Sequence, residues 1–550
     1  MTEQLKPNPD LISPPDAALE APATFAACLN AHGLYNTLQF VLRLSPRIHQ
    51  LLDAVPSGVY SAGEVDGEAI VAYSTYLHET VHWWQHIGST TGLVISLCYP
   101  AQAHANLLAL REVIRLTGLH KSLKVWSEQA ALSGVPATDP GLQSANTAVN
   151  NAIDVEFFKL FIMQPERARE IDAERYFECV GHSFHIAYRL AVDLIASTVD
   201  RDFAHIPDVN RWGPQFERLT AERIEGFYYG TPIRVGPAGV RAIFEGQARF
   251  IQLQYLAFGN EALTCAEFRD AGYFEGIYVE AFEAFLRVTE SEWPESIDDP
   301  LIGLFLLICD LAVNPSAGFP CDIEDFENFI LHTDPGIRFG SLCLVVRARP
   351  ELKSTIRDYS REEYVAVAEV LMAAGNYSPP LRGLEEVARW PQEIPGIAEL
   401  MAEKERFGFG RENLPVRVVL SHFVALSVDK LAHPEFFCWA GAWMAGPRAT
   451  DPAQQMFLRH LSIFADRGDK EGIYPRDIPG KDRDSVFRTL NNFYGSNLLY
   501  DLTRQWILQD GSFRYDYSWL TEQPSEKYAE WAKRQFELLY GAHPDSAKIL

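Results

Sequence analysis

Tyr73-Ser-Thr-Tyr-Leu-His78-Glu79-Thr-Val-His82-Trp-Trp-Gln-His86-Ile-Gly-Ser-Thr90 is the one stretch of this chain with a sharp chemical pattern, His-Glu-x-x-His. Ala69, Tyr73, Tyr76, Leu77, Val81, Trp84 and Ile87 recur at spacings of three and four, which predicts a helix. On that helix His78 and His82 share a face about 6 Å apart along the axis, so both imidazoles can converge on one divalent cation. A zinc ion in an incomplete protein shell lowers the pKa of a bound water to roughly 7, and a neighbouring carboxylate can take its proton. Glu79 stands where such a base is needed and is adjacent to His78, about 100° round the helix, so it is read as general base and not as ligand. A chance His-Glu-x-x-His with hydrogen-bonded core histidines is the alternative for the five letters alone.

Outward from this stretch the chain is rich enough in apolar residues to fill real cores. It has 550 residues, 47% of them apolar and 12% aromatic. With 48 Lys and Arg against 73 Asp and Glu, the net charge of −25 and the absence of a basic run argue against nucleic-acid binding. No signal peptide or membrane span is expected, because the best apolar run, Leu301 to Val313, is short and contains Asp310. The eight cysteines include no CxxC pair and read as reduced thiols of a cytoplasmic protein. Residues 1–22, with Pro7, Pro9, Pro14, Pro15 and Pro22, have the composition of a flexible leader.

A first helical pattern runs from about Gly33 to Val55, ahead of the Pro56-Ser-Gly58 turn, and a short strand is expected from Gly58 to Val65. Residues 103–194 read as almost wholly helical. They carry a second polar group, Glu178, His182 and His185, either a polar face or satisfied core pair, or groups that bind a metal or orient a ligand of the first site. Thr231 to Gly236 suggests a short strand. A helix follows, with Val240, Ile243, Phe244, Phe250, Ile251 and Leu253 as its apolar positions, and it contains Glu245-Gly-Gln-Ala248-Arg249.

Glu245-Gly-Gln-Ala248 resembles the Glu-Gly-x-Ala type segment of gluzincin zinc peptidases, which lies on a helix after the HExxH helix and supplies the third metal ligand. The resemblance covers roughly residues 58–260. It implies a zincin-like α+β core in a mainly α protein, with zinc on His78, His82 and Glu245 and a peptide or protein substrate. The alternative for Glu245 is a surface pair with Arg249. His82 and Glu245 are 163 residues apart, far more than is usual in such enzymes, so residues of about 100 to 230 are read as a helical insertion. The metzincin pattern fits worse, because Gln85 and Gly88 stand where it requires Gly and His. His86 lies a further turn along, too far for the same metal, and is read as a substrate-side or supporting group or as a histidine packed beside Trp83.

The domain reading is therefore a leader (1–22), a zincin-like metal-binding domain (23–295) and a helical C-terminal region (296–550). In the last, buried helices are expected at Leu301 to Val313, Ile337 to Ala348 and Arg361 to Ala374, with Asp310 a candidate partner for a ligand histidine. Further runs are at Val416 to Val428, Phe436 to Met444, Gln454 to Phe464 and Tyr528 to Tyr540. Tyr228, Tyr229, Tyr273, Tyr278 and His332 are the candidates for an oxyanion-stabilising group. The expected activity is that of a zinc-dependent hydrolase, most simply a peptidase. A di-iron carboxylate protein, using the pair Glu79 and His82, and a helical interaction protein with a structural metal, its acidic surface and long C-terminal region suited to a protein partner, are the alternatives.

Overall fold

The computed structural model describes residues 33–36, 40–52, 67–172, 174–259, 263–467, 472–515, 517, 520 and 525–550. The expected leader (1–22) and the expected strand at Gly58 to Val65 lie outside them. The protein is mainly α, about 68% helical with 3% strand, so helix packing must position the site. The helices that do so are α1 (Gly67–Gly88), α2 (Thr90–Ala105), α3 (Pro140–Met163), α4 (Val180–Val199), α5 (Val240–Phe258), α6 (Ile277–Thr289), α7 (Pro300–Ala312), α8 (Leu414–Ala432) and α9 (Arg483–Leu508).

α1 is buried on every side: of its residues only Glu68 escapes full burial. An apolar stripe with a solvated opposite face is the usual pattern for a surface helix. α1 departs from it because α2, α5, α8, the short helix Pro46–Leu52 and a small sheet surround it. α1 turns into α2 through Gly88 and Ser89. The Ser89 hydroxyl accepts from the Gly92 amide at 2.9 Å and donates to the Gln85 carbonyl at 2.6 Å, closing one helix while capping the next. Gly92 is required there, since a Cβ would sit 1.9 Å from the Gln85 carbonyl oxygen.

The expected helix from Gly33 to Val55 is corrected. Gly33–Asn36 (β1) and Val41–Leu44 (β2) form an antiparallel pair, and only Pro46–Leu52 is helical. Pro46 can open a helix but cannot continue one, because it lacks the amide N–H and its ring crowds the preceding turn. β2 pairs in parallel with Phe464–Ala465 (β3), which pairs antiparallel with Tyr474–Pro475 (β4), so the two ends of the chain share one sheet. Asp466 secures this junction. Its buried carboxylate accepts from the Leu44 amide at 3.0 Å and contacts His49 Nε2 at 2.8 Å. From β4's end, Arg476 donates to the Tyr76 hydroxyl of α1 at 2.7 Å.

Between α1 and α5 in sequence, the chain forms α3, α4 and the shorter helices Leu107–Thr117, Leu123–Leu132 and Trp212–Ala221, with α3 and α4 packed together and α4 against α2. α7, Pro335–Ala348 and Arg361–Ala374 form as expected, and the expected runs at Val416 to Val428 and Tyr528 to Tyr540 fall within α8 and Ser525–Tyr540. Three other expectations are corrected. Thr231 to Gly236 makes no strand. The run at Phe436 to Met444 breaks at Trp439 into Pro434–Cys438 and Ala440–Trp443. The run at Gln454 to Phe464 ends as a helix at Arg459, and its last residue enters β3. Among the described residues no single helix is long and apolar enough to cross a membrane.

Candidate metal centre

α1 and α5 touch along their middles despite the 163 residues between His82 and Glu245. Gly246 allows α5 its approach to the next layer: a Cβ there would lie 3.3 Å from Phe305 Cζ and 3.4 Å from Ala281 Cβ. Packed this way, α5 directs the Glu245 carboxylate at both histidines. Its Oε2 is 3.2 Å from His82 Nε2 and 3.5 Å from His78 Nε2, and the two Nε2 atoms are 3.1 Å apart. Tetrahedral zinc with ligand bonds of about 2.0–2.1 Å requires donor-to-donor distances of about 3.3–3.4 Å, close to this triangle. Among the described residues this is the one group of three His, Cys, Asp or Glu donors close enough to share a metal ion.

The His82 ring is held in the tautomer a metal needs. Its Nδ1 lies 2.7 Å from Gln85 Oε1, an acceptor, so Nδ1 keeps a proton and Nε2 is the nitrogen that a metal would take on displacing its proton. The Gln85 amide nitrogen donates at 2.9 Å both to the Phe244 carbonyl and to Gln247 Oε1. One side chain thus orients His82 on α1 and ties it to the residue preceding Glu245 on α5.

All four polar groups of the centre are buried, with Glu245 the most exposed at 8% and Glu79 at 2%. In the metal-free protein burial drives the His78 imidazole down to about 3, against the pull of Glu245. Burial opposes charge on His82 as well, yet the Glu245 carboxylate outweighs it and pushes the imidazolium up to about 9. Glu245 is held well below the usual carboxylate range, because both histidines together overcome its own burial cost. Burial raises Glu79 to about 8, and its Oε2 has no hydrogen-bond partner. A buried carboxyl with a pKa near neutrality can give or take a proton there.

The other sequence candidates are placed elsewhere. His86 packs its ring against Phe244 at 5.1 Å, and burial lowers it to about 3. Asp310 is engaged by Lys430 at 2.5 Å, by the Tyr364 hydroxyl at 2.8 Å and by Asn314, so it supports no ligand histidine. His182 pairs with Asp154 at 3.2 Å and contacts Glu178 at 3.7 Å, while His185 stacks on Phe216 at 4.2 Å. Of the oxyanion candidates, Tyr278 is beside the centre, its ring 5.9 Å from that of His78. Tyr229 is 80% exposed, Tyr228 lies under Arg223, and His332 packs on Tyr377.

Sequence reasoning missed Gln85, Gln247 and Arg249. The available signal was polarity in an apolar helix: Glu245, Gln247, Arg249, Gln252 and Gln254 are all buried on α5. Comparison of the chain with protein-family models, curated proteins and solved structures finds no match.

Proposed function

We propose that this chain is a zinc-dependent hydrolase, most simply a peptidase, with His78, His82 and Glu245 as metal ligands and Glu79 as general base. The observation that carries the reading is the donor triangle with sides of 3.1 to 3.5 Å, contributed by two helices far apart in sequence. Three protein donors leave one tetrahedral position for a reactant, the arrangement of catalytic and not of structural zinc. A bound zinc supplies Lewis acidity, lowering the pKa of a water and polarising a carbonyl.

Glu79 accepts the proton from water as the water oxygen bonds to the carbonyl carbon. It then returns a proton to the amide nitrogen as the C–N bond breaks. The Gln85 contact fixes a proton of His82 on Nδ1 and leaves Nε2 to the metal, and the buried surroundings exclude bulk water.

Elemental analysis of the purified protein together with Glu79→Gln tests the reading. Zinc should be present at one per chain, and the variant should keep it while peptide hydrolysis falls by roughly 10² or more, the scale of lost general acid–base catalysis. Two irons per chain, or full activity in a zinc-loaded Glu79→Gln protein, would sink it.

A further inference from the structure

Arg249 is 1% exposed, and only one of its donor groups is spent, Nη1 donating to Gln252 Oε1 at 2.5 Å. Nε and Nη2 have no partner. Among the described residues no carboxylate pairs with this guanidinium, although isolating a buried cation costs several kcal/mol. It lies one helical turn beyond Glu245 on the same face of α5. Its Cζ stacks 4.0 Å from the centroid of the Tyr278 ring, and that ring is 5.9 Å from His78's. The guanidinium is thus within about 10 Å of a metal-binding imidazole by these contacts. Tyr273, fully buried and 5.2 Å from the same guanidinium, has a hydroxyl that is also without a partner.

We propose that Arg249, with the Tyr273 hydroxyl beside it, binds a carboxylate of the substrate. The inference rests on the hydrolase reading and names its substrate class: a peptide with a free carboxylate one or two residues beyond the scissile bond. Charge leads to the same place. The buried guanidinium of Arg249 has no carboxylate partner among the described residues, and an anionic group of the substrate supplies one. Distance sets an upper limit on how far that carboxylate lies from the scissile bond, since successive Cα atoms are about 3.8 Å apart and a span of no more than about 10 Å is covered by about two residues. A planar guanidinium offering Nε and Nη2 side by side is matched to the two oxygens of a carboxylate. Arg249 is here a substrate-binding residue and takes no part in proton transfer.

The test compares matched blocked dipeptides ending in a free carboxylate or a carboxamide, with the zinc-loaded full chain. The free acid should have the higher kcat/KM by about 10- to 100-fold, the scale of hydrogen bonds to charged groups, and Arg249→Gln should erase the preference without changing zinc content. Titration calorimetry with N-acetylphenylalanine and its amide asks the same question without turnover. Tighter binding of the acid that depends on Arg249 supports the site even if no peptide is hydrolysed, so failure of the hydrolase reading is seen separately. A Glu-over-Gln preference at the side chain, with acid and amide termini equal, also supports it and assigns the carboxylate to a side chain. Equal handling of every acid and amide pair, or a preference that persists in Arg249→Gln, overturns it. If Arg249→Gln does not fold, the wild-type acid-to-amide ratios decide.

Discussion

Replacing Gln85 with Leu should weaken zinc binding by about 10- to 100-fold, or about 1.4–2.7 kcal/mol, the usual effect of removing a side chain that orients a metal-binding histidine. The structure explains why so much passes through one amide. His82 Nδ1 loses its acceptor at 2.7 Å, so the tautomer that presents Nε2 to the metal is no longer favoured and the ring is freer to turn. Two further hydrogen bonds disappear, to the Phe244 carbonyl, which keeps its helical partner, and to buried Gln247 Oε1, which is left without this donor at about 1–3 kcal/mol. Folding stability should therefore fall as well, and the two effects must be separated. Competition for zinc against a chromophoric chelator, at a temperature where circular dichroism shows the variant folded, reads the affinity alone. Denaturant unfolding of the metal-free protein reads the stability. A folded Gln85→Leu protein with a zinc Kd within twofold of wild type would refute the assignment of Gln85 as the orienting group. Gln85→Glu should bind zinc at least as tightly as wild type, since a carboxylate at the same position is a stronger acceptor for His82.

His78→Ala, His82→Ala and Glu245→Ala should each lose zinc on dialysis, whereas His86→Ala should keep it; elemental analysis checks all four, and full zinc in Glu245→Ala would remove α5 from the site. Zinc affinity should rise about tenfold per pH unit from below 6.5 up to about 9. The metal-free protein holds a proton on His82 across that range and must release it on binding, so a plateau beginning near 6.5 in a pH-dependent titration would contradict the raised imidazolium. Gly246→Val should lower folding stability by about 1–3 kcal/mol and weaken zinc binding, because the added methyl groups press on Phe305 and Ala281 and displace the neighbouring Glu245. Thermal unfolding with and without zinc measures both, and an unchanged protein would mean that the α5 approach is looser than the distances indicate.

The clustering of His78, His82 and Glu245 was legible in the sequence because each part has its own signature. Two histidines four apart on a periodic helix define a face, and a Glu followed by small residues on a later apolar helix permits close approach. The mainly α character followed from the same periodicity. The strands near the start were not legible, because Val41 to Leu44 is too short for any period to declare itself, and its partner Phe464–Ala465 lies over four hundred residues away. Gln85 was noticed only as a mismatch to another motif, since a glutamine three residues after a histidine says nothing until the Phe244 carbonyl is brought beside it. The sequence offers Arg249 only as an alternative surface partner for Glu245, as i and i+4 spacing suggests on an exposed helix. Burial reversed that, because Glu245 turned to the histidines and Arg249 was enclosed with two donors unspent. Asp310 shows the converse: an acid in an apolar run looked like support for the site until Lys430, on α8, occupied it.

The sheet that joins β2 to β3 has a consequence for how the protein is made. Every donor of the candidate metal centre has left the ribosome by the end of α5, yet α8, which covers α1, and the strand that Asp466 locks against Leu44 follow some 150 to 200 residues later. At about 5–20 residues per second, that leaves His78, His82 and Glu245 waiting roughly 10–40 s for the packing that encloses them. During that interval α1 and α5 exist without their cover, and under the proposed zinc function the chain is open to whichever thiophilic or borderline metal is most available. Fidelity of metal choice is then a matter of timing as much as of geometry, and it is the far end of the chain that shuts the door.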